Sequence, residues 1–144
     1  MLGKSSWAPC HDVPVDAADL IWNRAALESG GASPGPGDLA LADVLAFHGL
    51  VMNGGMLDAA ERLSAEDHAK VAAAYRWLGL EAVVDLVASV RRDLESGVLD
   101  DADRAEALEL NADRRYAAIL QSDEALEAAF RRRLNDDPAA FNSP

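Results

Sequence analysis

The chain has 144 residues, and 13 Lys and Arg stand against 25 Asp and Glu, which gives a formal net charge of −12. This length suits one domain with a single core, and a hydrophobic share of 50% excludes a disordered acidic tail. The charge repels phosphate, so direct binding to nucleic acid or to an anionic membrane is disfavoured. The single cysteine, Cys10, excludes an internal disulfide framework and a cysteine-based zinc cluster.

The residue types predict an all-α protein. Helix-forming Ala, Leu, Glu and Arg are frequent, and no alternating run of β-branched residues predicts a strand. No apolar run approaches the roughly 20 residues that cross a bilayer, and the N-terminus lacks the apolar segment of a signal peptide. We therefore expect a cytoplasmic, single-domain bundle of about six or seven helices.

The first residues of the chain show no clear period, and we predict an irregular N-terminal arm over residues 1–15. Residues 16–141 are expected to form the single helical domain. Its first helix is predicted to begin at Asp16, a good N-cap residue, and to end at Gly30-Gly31. Leu20, Ile21, Arg24 and Leu27 share one face of this helix, with Trp22 beside it, and we expect the apolar residues of this face to point toward the core.

The second predicted helix spans residues 39–53 with Asp38 as its N-cap, and a short third helix follows over 56–62. Asn53-Gly54-Gly55 separates the two helices, because Asn and Gly tolerate the left-handed backbone of a sharp reversal. The apolar stripe of the second helix consists of Leu41, Val44, Leu45, His48 and Met52.

Cap and breaker residues delimit the fourth and fifth helices. Ser64 and Asp67 form a capping-box pattern that starts the fourth helix, and Gly79 ends it. The fifth helix is predicted over 81–95, with Gly97 after its C-terminus. The predicted buried face of the fourth helix consists of Val71, Tyr75 and Leu78.

Two further helices are predicted near the C-terminus, over about residues 100–120 and 122–134. Arg131-Arg132-Arg133 lies near the end of the last helix. We expect this triplet to interact with the helix dipole or to pair with Asp136 and Asp137.

Asn53-Gly54-Gly55 is the most unusual local signal in the sequence. We interpret it as an architectural turn with a positive φ at Asn53 or Gly54. The alternative is a pocket beside His48, in which N–H groups at a helix N-terminus bind an anion. A phosphate loop also needs an adjacent Lys, Arg or hydroxyl, and the sequence has none there.

The three histidines predict neither a metal centre nor a catalytic base. His11 follows Cys10, but a zinc site needs three or four converging ligands and no spacing here offers them. His48 is expected to be a hydrogen-bonded core residue, whereas His68 is expected to be exposed in the first turn of its helix. We therefore predict no enzymatic activity, cofactor or metal.

Eight carboxylates lie between Asp93 and Asp113, and Arg104 is the sole basic residue inside that interval. Carboxylates one helical turn apart are separated by roughly 5–6 Å, which is comparable with the spacing of phosphates along a DNA strand. Such a surface can imitate a nucleic-acid backbone, although a solvated helix face is the plainer interpretation. The candidate interaction surface consists of Asp100, Asp101, Asp103, Glu106 and Glu109.

Several short segments resemble, in order and spacing, a widespread bacterial helical domain family that is named for a DNA-mimic protein. Residues 48–56 (HGLVMNGGM) are similar to its N-G-G signature, and residues 73–80 (AAYRWLGL) resemble its helix that ends in an apolar residue and glycine. Residues 113–116 together with 134–141 resemble its C-terminal ending. The resemblance covers about residues 38–141 and implies an all-helical domain. For one branch of the family, it also implies mimicry of DNA toward a transcription regulator.

The sequence also departs from the family pattern. Met56 stands where the family often has an aromatic residue, and apolar Leu50 and Val51 replace a polar position upstream. Mimicry depends on surface carboxylates and not on the N-G-G signature.

We expect a non-catalytic protein that presents its acidic surface to a basic protein partner, such as a transcription regulator. One alternative is an immunity or antitoxin-type inhibitor of a basic toxin, since electrostatics does not separate the two. Another is an enzyme or small-ligand binder with a pocket near Asn53 and His48. A clustered carboxylate face favours the first two functions, and a deep polar pocket favours the third. Assembly into a homodimer is compatible with each of them.

Overall fold

The computed structural model describes residues 16–143, so the predicted arm over 1–15, with Cys10 and His11, lies outside the described residues. The described part contains seven α-helices, two short 3-10 turns and no β-strand, which confirms the predicted all-α single-domain bundle. The 3-10 turns span Val98–Asp100 and Pro138–Ala140. The helices are α1 (Ala17–Glu28), α2 (Pro36–Gly54), α3 (Met56–Glu61), α4 (Ala65–Trp77), α5 (Glu81–Glu95), α6 (Ala102–Ile119) and α7 (Asp123–Asp136).

Several helix boundaries follow from side chains that satisfy free backbone N–H groups. Asp16 caps α1, because its carboxylate accepts a hydrogen bond from the Ala18 N–H at 2.9 Å. The predicted capping box of α4 is confirmed: the Asp67 N–H donates to the Ser64 hydroxyl at 3.1 Å, and the Ser64 N–H donates to the Asp67 carboxylate. Gly97 follows α5 in a left-handed conformation with φ of 85°, as a glycine after a helix C-terminus is expected to do.

Helix α2 begins earlier than the sequence predicted. Its N-cap is Gly35 and its first residue is Pro36, so Asp38 is not the N-cap but lies within the first turn. Proline suits the first position because its φ is fixed near the helical value and it has no N–H to satisfy. The Asp38 carboxylate accepts a hydrogen bond from the Gly35 N–H at 2.9 Å and thereby still stabilises the start of the helix.

The core lies around α2, which packs against α1, α3 and α4, while α5 packs against α3, α4 and α6. The predicted inner face of α4 is confirmed, because Val71, Tyr75 and Leu78 are all buried. Full burial of such a side chain contributes about 1.5–3 kcal/mol. The largest fully buried side chains include Tyr75, Phe47, Phe130, Leu41, Met56, Leu78, Leu86 and Leu126.

Three apolar residues that were predicted to face the core are exposed instead. Leu20 and Leu27 of α1 are 43% and 82% exposed, and Met52 of α2 is 64% exposed. Small side chains on the inner face of α1 let it pack closely against α2, which turns the two leucines outward. The buried residues of α1 are Ala18, Ile21 and Ala25.

The C-terminal residues close over the start of α2. The Asp38 carboxylate is fully buried and accepts hydrogen bonds from Arg24 at 2.9 Å and from the Asn142 N–H at 2.7 Å. Arg24 also donates to the backbone carbonyls of Asn142 and Ser143. Phe141 packs its ring against two further aromatic side chains of the core. Asn142 and Ser143 therefore contact the domain as well.

The arginine triplet of α7 forms no ion pair with Asp136 or Asp137 in the described part of the chain. Arg131 instead contacts Asp16 and Asp19, at 2.6 and 2.9 Å, at the beginning of α1. Its guanidinium lowers the pKa of the Asp16 carboxyl through this hydrogen bond. Arg131 thus links α7 to the beginning of α1, which is distant in sequence.

Candidate functional site

The carboxylates of the predicted interaction surface lie between the end of α5 and the first half of α6. Asp100 ends the 3-10 turn, Asp101 is the N-cap of α6, and Asp103, Glu106 and Glu109 follow within that helix. All five residues are exposed. This set is named the acidic face.

Side-chain capping explains where α6 begins. The Asp101 carboxylate accepts hydrogen bonds from the N–H groups of Asp103 and Arg104, at 3.1 and 3.2 Å. Asp100 belongs to the separate 3-10 turn, so the prediction that it opens the helix is wrong by one residue. Carboxylates in the first turn also interact favourably with the helix dipole.

Few side chains hold the first half of α6 to the rest of the domain. Between positions 102 and 111, only Ala105 and Leu108 are even partly buried. The fully buried residues of α6 are Ala112 and Tyr116, which lie further along the helix. The carboxylates therefore project into solvent from a regular helix, whose geometry fixes their spacing.

The carboxylates of the acidic face form no ion pair with a basic side chain within residues 16–143. In contrast, eight other carboxylates of the same segment each contact a basic side chain. Arg104, the one basic residue among them, is exposed and forms no ion pair within the same segment. The negative potential of the face is therefore directed at the surroundings.

The other carboxylates of the predicted cluster take different roles. Glu95 lies 3.6 Å from the Arg91 guanidinium, and Asp113 accepts a hydrogen bond from the Met56 N–H at 2.8 Å. Asp93 is partly buried. Five of the eight carboxylates are thus exposed and unpaired, whereas the other three contact groups of the domain or are partly buried.

Two exposed leucines accompany the acidic face, and the sequence analysis missed both. Leu99 directly precedes Asp100 and is 45% exposed, while Leu110 lies one helical turn after Glu106 and is 56% exposed. Leu110 could have been found from helical periodicity, because it does not lie on the face of α6 that carries the buried Ala112 and Tyr116. The face therefore combines negative charge with apolar contact area.

The N-G-G turn differs from its prediction in one respect. Asn53 and Gly54 are the last residues of α2, and Gly55 carries the positive φ, with φ of 90° and ψ of 165°. The prediction of a positive φ at Asn53 or Gly54 is therefore wrong. The helix continues through both residues, and the Gly55 N–H still donates to the Val51 carbonyl at 2.8 Å. One glycine suffices to turn the chain from α2 into α3.

Asp113 of α6 holds this turn from the neighbouring helix. Its hydrogen bond from the Met56 N–H satisfies a free donor at the start of α3. A Cβ at Gly55 would lie 3.1 Å from the same carboxylate, and a Cβ at Gly54 would lie only 2.5 Å from the carboxylate of Asp58. The positive φ of Gly55 and its contact with Asp113 agree with an architectural turn, whereas the Asp58 side chain beside Gly54 is partly exposed and can move.

His48 is buried, as predicted, and lies in a chain of hydrogen bonds. Its Nδ1 is 2.7 Å from the Tyr116 hydroxyl, and its Nε2 is 2.9 Å from the Asp123 carboxylate. The hydroxyls of Tyr116 and Tyr75 are 3.0 Å apart. When Nε2 donates its N–H to the Asp123 carboxylate, Nδ1 can accept a hydrogen bond from the Tyr116 hydroxyl, which in turn accepts one from Tyr75. In this direction every member of the chain has a partner.

The hydroxyls of Tyr75 and Tyr116 in this chain of hydrogen bonds act as hydrogen-bond donors and not as bases. Burial raises the pKa of Tyr116 to about 12 and raises that of Tyr75 well above its usual value. Both hydroxyls therefore stay protonated at physiological pH. The side chain of Asp123 is 80% exposed, so the chain of hydrogen bonds runs from the core to the surface.

A cavity of about 250 Å³ lies beside this chain of hydrogen bonds. It lies where the sequence analysis gave a pocket beside His48 as the alternative to an architectural turn. Its wall includes His48, Met52, Asp113 and Tyr116. His48 and Tyr116 are hydrogen-bonded to each other, and Asp113 is bonded to the backbone of α3. These contacts favour a structural role for the polar groups on the wall.

His68 is 7% exposed, so the prediction of an exposed histidine is wrong. Helix α4 packs against α5, and His68 lies beside Arg91, Leu94 and Glu95 at the end of α5. Burial, together with the positive charge of Arg91, lowers the pKa of the His68 imidazole. Its Nε2 is buried and has no hydrogen-bond partner within residues 16–143.

The fold and the acidic face define an all-α domain with a strongly acidic exposed helix. No protein-family model matches the sequence, and comparisons with curated proteins and with solved structures give no significant match. The resemblance to the DNA-mimic family therefore stays a prediction. In the described residues, no helix is both long enough and apolar enough to cross a membrane.

Proposed function

We propose that this protein is a non-catalytic interaction protein that binds a basic protein surface through the acidic face. The observation that carries the proposal is the clustering of five exposed carboxylates between positions 100 and 109, none of which forms an ion pair within residues 16–143. Charge that is not neutralised internally attracts an oppositely charged partner and accelerates the encounter.

The spacing of the carboxylates supports a DNA-binding regulator as the partner. Asp103, Glu106 and Glu109 follow one another at three-residue steps in α6, so neighbouring side chains are roughly 5–6 Å apart. A row of negative charges on a regular helix resembles a row of phosphates. Lys and Arg side chains that grip phosphates bind carboxylates by the same charge-assisted hydrogen bonds.

The leucines of the acidic face support a protein partner over a nucleic acid. Leu99 and Leu110 offer apolar area that a protein surface can cover. Buried apolar anchors supply much of the affinity of protein interfaces, while surrounding charges set orientation and association rate. The same face would also serve an inhibitor of a basic toxin, so identification of the partner distinguishes these two functions.

The test is capture of the partner from the organism that encodes the protein, at low salt. The immobilised wild type is compared with the triple variant D100K/D103K/E106K. We expect the wild type to retain a basic DNA-binding protein and the triple variant to lose it. Circular dichroism should show unchanged helix content, because all three positions are exposed.

A matched variant, E28K/D85K/D136K, reverses three exposed carboxylates away from the face, so both variants change the net charge of −12 equally. Retention by this control together with loss in the face variant would assign the binding to the acidic face. Equal capture by wild type and face variant would contradict the proposal. Capture of a basic toxin would support the inhibitor function instead.

A further inference from the structure

We infer that a second cavity, between α3, α4, α5 and the 3-10 turn Val98–Asp100, binds a small zwitterion with an apolar body, such as a free apolar α-amino acid. The cavity has a volume of about 300 Å³. This value lies at the lower end of the range for ligand pockets, so it suits a small molecule. The inference does not rest on the proposed function, although Leu99 lies both beside the acidic face and on the wall of this cavity.

Two nitrogen-bearing side chains on the cavity wall lack an acceptor. The imidazole of His68 lines the cavity, and its buried Nε2 has no hydrogen-bond partner within residues 16–143. The Arg91 guanidinium lies 3.6 Å from Glu95, which is longer than a hydrogen bond, and it forms no hydrogen bond elsewhere in the same segment. Both groups line the same cavity. A carboxylate is the ligand group that satisfies such a pair.

The wall of the cavity also carries negative charge. Glu61 of α3 lines the cavity, is exposed and forms no ion pair within residues 16–143. Glu95 also lines the cavity. A ligand ammonium beside these carboxylates would gain charge-assisted hydrogen bonds. The wall therefore presents both signs of charge to one ligand.

The rest of the wall is apolar. Leu63, Leu94 and Leu99 line the cavity, and Leu99 is 45% exposed. These side chains offer a surface for a branched aliphatic group, which leaves water on binding. Arg91 and His68 take the carboxylate, Glu61 takes the ammonium, and the leucines take the aliphatic side chain.

The test is an NMR titration of the protein with L-leucine, up to about 10 mM, and with three analogues that each lack one group. Isocaproate lacks the amine, isoamylamine lacks the carboxylate, and glycine lacks the aliphatic part. We expect saturable shifts of the Leu63 and Leu94 signals with L-leucine, and binding at least about tenfold weaker for each analogue. The pKa of His68 should rise on binding, because a nearby carboxylate stabilises the imidazolium.

Two variants with neighbouring controls locate the binding. Arg91→Gln and Glu61→Gln should each weaken L-leucine binding about tenfold, because each removes one charged partner. Arg92→Gln and Glu66→Gln change exposed neighbours that do not line the cavity, and should leave binding unchanged.

Three outcomes would overturn the inference. The first is the absence of any shift at the cavity with L-leucine. The second is binding of isocaproate or isoamylamine as tight as that of L-leucine, which would reduce the site to one for a simple anion or cation. The third is an unchanged affinity in both the Arg91 and Glu61 variants.

Discussion

Tyr116 is the central member of the buried chain of hydrogen bonds, because its hydroxyl links His48 to Tyr75. Tyr116→Phe leaves a buried ring nitrogen and a buried hydroxyl without partners. We expect a loss of about 1–3 kcal/mol in the free energy of unfolding, measured by urea denaturation.

Tyr75→Phe is the matched control, since it removes only the end of the chain. Tyr116 still donates to His48 in that variant, and we expect a smaller loss of about 0.5–1.5 kcal/mol. A Tyr75→Phe variant that is less stable than Tyr116→Phe would contradict the proposed direction of the chain.

His68 makes stability depend on pH. Its folded-state pKa is lowered, so the unfolded chain binds the proton more readily. The contribution of His68 to stability is complete above the unfolded pKa of about 6.5 and is lost as the pH falls through the lower folded-state value.

His68→Gln removes this titration. The unfolding free energy of the wild type minus that of the variant should therefore decrease between about pH 8 and pH 5. The measurement is a series of urea denaturations of both proteins across this range. A constant difference would show that His68 is not held in its neutral form by the fold.

The two histidines also show what a sequence reveals about single residues. His48 continues an apolar stripe of α2, so its burial could be predicted from periodicity. His68 sits in a polar first turn, and it is buried although its neighbours in the sequence are exposed, because α4 packs against α5. Such a contact between helices leaves no periodic signal in the sequence of either helix.

At the scale of the helices, Gly55 determines how α2 turns into α3. Its φ of 90° and ψ of 165° lie in a region that is essentially restricted to glycine. Gly55→Ala should destabilise the fold by about 1–3 kcal/mol, measured as a lower midpoint in urea.

Gly49 provides a control, because a substitution there is expected to raise the stability of the fold, whereas Gly55→Ala is expected to lower it. It lies inside α2, and a Cβ there would meet no atom within 4 Å. Gly49→Ala should stabilise the fold by about 0.5–1 kcal/mol, because alanine is the better helix former. A stable Gly55→Ala variant would mean that the turn tolerates a side chain and is not architectural.

Helix boundaries were predictable where a cap is local. Asp16 and the Ser64–Asp67 box mark their helices within three residues of sequence, and the structure confirms both. The start of α2 was missed because both Pro36 and Asp38 are plausible there, and burial of Asp38 by the C-terminal residues settles its role. The sequence does not show which glycine of the N-G-G segment reverses the chain, because the Asp113 carboxylate that holds this turn comes from the distant helix α6.

At the scale of the whole molecule, the Arg24–Asp38 pair and its hydrogen bonds to Asn142 and Ser143 join the beginning of the domain to its end. Asp38→Asn removes one member of a buried pair and should lower the free energy of unfolding by about 3–5 kcal/mol. Asp58→Asn is the control, because its pair with Arg62 is exposed and should contribute only about 0–1 kcal/mol. Equal effects in urea denaturation would contradict this account of the C-terminal closure.

The sequence predicted the acidic face better than it predicted this closure. The carboxylates of α6 are neighbours in the sequence, so their helical spacing follows from a single element. Arg24, Asp38 and Asn142 come together only through packing of distant segments, and no motif announces such a contact. The same reason explains why the cavity around His68 was missed.

The central claim, binding of a basic partner through the acidic face, is tested most directly by association kinetics. The association rate of the captured partner is measured against salt for the wild type, D100K/D103K/E106K and E28K/D85K/D136K. We predict that the wild type associates fastest at low salt and slows as salt rises, since the screening length is about 8 Å at physiological ionic strength. The face variant should associate slowly at every salt concentration, and the control should stay close to the wild type. Equal rates and equal salt dependence for the two variants would contradict the claim, because the total charge and not the acidic face would then govern the encounter.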